Sequence, residues 1–134
     1  MLNKFVFRIA FILSLSVSAY GENACVDQTQ TIYRDNLEFV KSWENCGRSS
    51  LGFTDPFSAC LKAKHVDVST ACINCFSQFV SCTRSNCLFS CIGFSKSWCE
   101  KCALDNCQEP LTECTGVSKE NLPSKYSKTA IVEN

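Results

Sequence analysis

Cysteine is the residue whose number and spacing raise the chemical question in this chain. Five of the 12 cysteines fall within "ACINCFSQFVSCTRSNCLFSC", residues 71–91, at intervening gaps of two, six, four and three. Thiols so placed have three uses. A C-x-x-C pair opening a helix can hold a reactive thiolate, and Cys72 with Cys75 and Cys99 with Cys102 have that spacing. The same two pairs, 23 residues apart, approach a four-cysteine zinc site, slightly beyond its usual interval of about 15 to 20 residues. The third use is cross-linking of a small secreted fold.

The surrounding sequence favours cross-links. Residues 1–19 have a basic start at Lys4 and Arg8, the apolar run "IAFILSLSV", and the small residues Val17, Ser18 and Ala19. This is the layout of a secretory signal peptide, with cleavage expected after Ala19 or Gly21. Its apolar core is shorter than the roughly 20 residues that span a bilayer. All 12 cysteines follow it, an even number that makes up about 10% of the remainder, the density of a disulfide scaffold. An oxidising route then makes six bridges the expectation, which places the protein outside the cell or in the lumen of a secretory organelle.

Charge narrows the partners. Losing Lys4 and Arg8 with the leader leaves 11 basic against 13 acidic side chains, a net charge of −2. With no basic cluster, nucleic acid and anionic lipid are not expected partners. His65, the one histidine, falls at a helix end beside Lys62 and Lys64, where a surface cation complements the helix dipole. The carboxylates are scattered, and no phosphate loop or nucleophile elbow is present. No catalytic residue, metal ligand or cofactor is therefore expected, and the chain reads as a non-enzyme.

The elements that must position the cysteines are helical. From Asp27 to Cys46, the residues Ile32, Tyr33, Leu37, Val40 and Trp43 recur at helical intervals, with Gly47 able to close the end. "TDPFSACLKAKH" announces a second helix, with Asp55 as cap and Pro56 at its first position. Ser69 can cap a third helix, whose apolar face around Cys72, Cys75, Phe76 and Phe79 is wide enough for two neighbours. A fourth, short helix is expected from Ser85 to Ile92. A fifth runs from Trp98 to about Asn106 behind the capping box of Ser97 and Glu100, and a last turn follows at "EPLTEC". The expected fold is all-α: a small disulfide-rich bundle of about five short helices over residues 25–116, with a flexible polar tail over 117–134.

Helix geometry restricts the bridges, since paired α-carbons lie within about 7 Å. Cys25 and Cys46 bracket the first helix and would stand about 31 Å apart if it is unbroken, so each should reach another segment. Reflection about the short connections pairs Cys60 with Cys75, Cys87 with Cys102, and Cys91 with Cys99. Cys82, Cys107 and Cys114 complete the set, with partners left open. The tract C87-x3-C91-x7-C99-x2-C102 resembles the doubly stapled helical hairpins of small toxins, antimicrobial peptides and protease inhibitors, although its last gap is two where theirs is usually three. That resemblance implies a shape over sixteen residues and no particular activity.

A cross-linked fold released into a hostile medium suits binding. The expected function is a secreted, non-enzymatic binding or signalling protein of the effector, toxin or pheromone class, acting on an extracellular protein or receptor. Phe89 turns away from the face that carries Cys87, and with Phe94 and Trp98 it can form an aromatic interaction surface, or else pack on the first helix. The alternatives are an oxidoreductase or zinc protein using the C-x-x-C pairs, and a carrier of lipid or a small apolar ligand. A carrier would require helices that surround a cavity.

Overall fold

The computed structural model describes residues 22–33, 35–93 and 96–123. The expected signal peptide, Phe94, and residues 124–134 of the expected tail lie outside the described residues. A 3-10 turn at Val26–Gln28 leads into α1 (Thr29–Ile32), α2 (Leu37–Ser50), α3 (Thr54–Lys64), α4 (Thr70–Ile92) and α5 (Lys96–Thr115). Every regular element among the described residues is helical, so the protein is an all-α, disulfide-rich bundle.

Local polar chemistry decides where the helices start and stop. The long first helix expected from residue 27 is interrupted, because Tyr33 is extended (φ −64°, ψ 148°) at the end of α1. Asn36 then caps α2: its Oδ1 accepts from the Phe39 N–H at 3.2 Å while its Nδ2 donates to the Thr31 carbonyl at 2.6 Å. One side chain thereby satisfies the end of one helix and the start of the next. At the other end α2 passes Gly47 and stops where Leu51 (φ 53°) and Gly52 (φ 79°) turn the chain.

The expected third and fourth helices are one. Ser69 caps α4, accepting from the Cys72 N–H at 3.2 Å, but Ser85 lies inside the helix, which continues to Ile92. Likewise α5 runs through Pro110, where a separate last turn was expected. Pro110 lacks the N–H that would reach the Asn106 carbonyl, and the helix is held on both sides of it by disulfides to α4, at Cys107 and Cys114.

All 12 cysteines are paired. Cys75 with Cys114, Cys82 with Cys107, Cys87 with Cys102 and Cys91 with Cys99 form a ladder between α4 and α5, with α-carbons 4.4 to 5.9 Å apart. The residue numbers of every rung average about 94.5 to 95, as an antiparallel hairpin requires. Cys25 is bonded to Cys72, and Cys46 to Cys60. The expected pair of Cys60 with Cys75 is therefore wrong. The hairpin that positions Cys60 is α2–α3, folded about residues 51–53, and Cys75 faces α5 instead.

The core gathers at the base of this hairpin, where α4 packs along α3 as well as α5. Phe39, Phe57, Leu61, Ile73 and Phe76 are buried there, each contributing about 1.5 to 3 kcal/mol on burial. Phe39, Phe76, Trp43 and Phe79 form a chain of edge-on rings with centroids 5.1 to 5.2 Å apart. His65 begins that chain, 4.9 Å from the Phe39 ring, and is only 7% exposed. The expectation of a surface histidine is thus overturned: the chain turns inward after α3, and aromatic packing outweighs solvation of the imidazole.

Both ends of the described chain tie to α5. The N–H groups of Ala24 and Cys25 donate to the carbonyls of Cys114 and Thr115 at 2.9 and 3.0 Å, satisfying acceptors that a helix end leaves open. Gly116 (φ 70°) allows the crossing, since a Cβ there would stand 2.6 Å from the Asn23 Cα. Val117 and Leu122 are buried against the core. The tail expected to be flexible from residue 117 is therefore packed through Pro123, anchored by apolar residues that its polar composition conceals.

Candidate functional site

The α4–α5 hairpin is longer than the α2–α3 pair beside it, and the difference leaves a groove. Its volume is about 940 Å³, near the upper end of the roughly 300 to 1,000 Å³ typical of small-molecule sites. Three helices build it, each with one stripe. From α2 come Val40, Trp43, Glu44, Gly47 and Arg48; from α4, Phe79, Val80, Thr83, Arg84, Leu88, Cys91 and Ile92; from α5, Lys96, Cys99, Glu100, Leu104, Gln108 and Leu111. These recur at intervals of three and four, the spacing of one helix face. The α2–α3 turn adds Leu51, Gly52 and Phe53, and the returning chain adds Leu122 and Pro123.

The floor is the edge of the core. Trp43, Phe79 and Val80 are partly buried against it, and Leu111 and Leu122 are buried. The rim is apolar and open to solvent. Among the described residues nine large hydrophobic side chains are exposed, and four of them, Leu51, Phe53, Leu88 and Ile92, line this groove. Scattered exposed apolar residues need no explanation, but four on one concave surface make this groove the candidate interaction site.

Between α2 and α4 the groove is lined by small groups. Gly47 lies over Val80, where an added Cβ would meet Val80 Cγ1 at 3.8 Å. At the closed end Gly52 touches α4 so tightly that a Cβ would stand 2.8 Å from the Arg84 Cβ. Polar groups sit on the rim. Glu44 Oε1 accepts from Arg48 Nη2 at 2.5 Å and lies 3.8 Å from Lys96 Nζ, linking α2 to α5. The Arg84 guanidinium lies over the Phe53 ring, 4.0 Å from its centroid.

The sequence-selected residues fall elsewhere. Phe89 and Trp98 are 84% and 64% exposed near the hairpin tip, so neither packs on α2, and neither lines the groove. Phe94 lies outside the described residues. The C-x-x-C sulfurs are bonded out of their own pairs: Cys72 to Cys25, Cys75 to Cys114, Cys99 to Cys91 and Cys102 to Cys87. That arrangement supplies neither a vicinal redox pair nor the thiolates that zinc requires. Sequence reasoning missed the groove, although the stripe Val40, Trp43, Gly47 on α2 carried a signal of it: a glycine among apolar positions leaves space.

Among the described residues no helix is long and apolar enough to cross a membrane. Comparison with family models, with curated proteins and with solved structures returns no match.

Proposed function

We propose that the protein is a secreted, non-enzymatic binding protein that holds a small apolar ligand in the groove between α2 and the α4–α5 hairpin. One observation carries this reading: four exposed apolar side chains, Leu51, Phe53, Leu88 and Ile92, share one concave surface of about 940 Å³ with Trp43, Phe79 and Val80 at its floor. Six disulfides suit an oxidising, extracellular or secretory setting, and the signal-peptide layout of residues 1–19 supports export. The fold keeps such a groove open because the ladder fixes the hairpin independently of what fills the space beside it.

Gly47 provides the test. It lines the groove from within α2, so Gly47→Leu fills the space while adding helix propensity worth about 0.5 to 1 kcal/mol. Binding of dodecanol, followed by Trp43 fluorescence in a Trp98→Phe background, should fall at least tenfold while thermal stability is kept or raised. Dodecanol that binds both proteins equally, or neither, would contradict the groove as a ligand site.

A second reading has its own observation. The exposed Phe89 and Trp98 side chains support contact with an extracellular protein partner at the hairpin tip, since aromatic residues are enriched in interface anchors. The two readings use different surfaces and are separable by mutation.

A further inference from the structure

The charges on the groove rim are not equivalent, and their difference names a ligand class. Glu44 engages both Arg48 and Lys96. Arg84 is different: among the described residues no carboxylate forms an ion pair with it, and its guanidinium carbon lies over the Phe53 ring, 4.0 Å from the centroid. The cation–π contact steadies the guanidinium without using its N–H donors on a carboxylate, which leaves them for a planar anion. Gly52 helps to fix it, since the turn passes so close to the Arg84 Cβ that no side chain fits between them.

Arg84, Phe53 and Gly52 sit at the α2–α3 turn, and from Arg84 the apolar wall of α4 continues through Leu88 to Ile92, about 12 Å along the helix axis. A site with one ordered cation at one end and an apolar wall leading away from it is complementary to a single-chain amphiphile. We propose that the ligand of the groove is an anionic single-chain amphiphile, a long-chain carboxylic acid or a chemical equivalent, with its acid group on Arg84 and its chain along Leu88 and Ile92. This rests on the groove being a ligand site and adds the class of ligand.

Dodecanoate and dodecanol, equal in chain length and different in charge, separate the two claims. By Trp43 fluorescence in the Trp98→Phe background, the native groove should bind dodecanoate about tenfold more tightly than dodecanol, the ratio expected of a charge-assisted hydrogen bond. Arg84→Gln should remove that preference, bringing the affinities for dodecanoate and dodecanol to within about twofold of each other. Arg84→Lys should restore part of it, because charge returns without the planar fork. Circular dichroism of both variants checks that the helices remain. Equal binding of the two probes by the native protein, or a preference that survives Arg84→Gln, would overturn the anionic class while leaving the groove intact. A native protein that binds neither probe would overturn the groove reading and this inference with it.

Discussion

Leu51 shows how a single residue ties backbone strain to the proposed site. It is a branched side chain at φ 53°, 73% exposed, on the groove rim. A left-handed conformation costs a non-glycine residue about 1 to 2 kcal/mol, and exposed leucine gains little from burial to offset it. Leu51→Gly is expected to leave stability unchanged or raise it by up to about 1 kcal/mol, allowing for the greater unfolded-state freedom of glycine, and to weaken apolar ligand binding. Thermal melts with dodecanol titration check both signs. Phe89 is the contrasting case: at 84% exposure, Phe89→Ser should keep the helical circular dichroism signal and the melting temperature, and reduce only binding to a partner at the tip. That Phe89 turns away from α5 was legible in its angular offset from Cys87; that it also clears α2 was not. That His65 points inward was not, because its fate depends on the rings of Phe39 and Phe76, which arrive from other helices.

At the scale of elements, the α4–α5 ladder organises the molecule. The sequence C-x3-N-C occurs in each helix, at 82–87 and 102–107, and the two copies pair crosswise as Cys82 with Cys107 and Cys87 with Cys102. In each copy the asparagine amide donates to the carbonyl four residues back, Asn86 to Cys82 at 2.9 Å and Asn106 to Cys102 at 2.8 Å. The asparagine before the second cysteine of each copy thus has a physical role, since this local bond lays the amide along the helix surface beside each rung. The upper rungs were legible from reflection about the turn. Cys75 with Cys114 and Cys82 with Cys107 obey the same reflection, but Ser85 and Pro110 read locally as helix boundaries, and the ladder overrides both. Loop closure ranks the bridges. Replacing Cys25 and Cys72 by alanine releases a 47-residue separation and should cost roughly 4 kcal/mol, against about 2.5 kcal/mol for Cys91 and Cys99, separated by 8. Denaturant melts of the two double variants, with the other five bridges confirmed by mass, should show that order.

At the scale of the whole molecule, the disulfides let the fold close without covering the groove proposed to bind. The core closes around Phe39, Phe57 and Phe76 at the hairpin base, and cross-links carry the rest of the hairpin past it, so its inner face need not be covered to be stable. This is why helical periodicity, capping residues and cysteine count reached the all-α, disulfide-rich class while the groove stayed hidden. The groove is a gap between elements, set by their relative lengths and by Gly47, and no single helix encodes it. The most direct test is an amide and side-chain chemical-shift map of the six-bridge protein titrated with dodecanol. The account predicts saturable shifts along Val40, Trp43, Gly47, Val80, Leu88 and Leu104, with Phe89 and Trp98 unmoved. Absence of saturation, or shifts confined to Phe89 and Trp98, would contradict it.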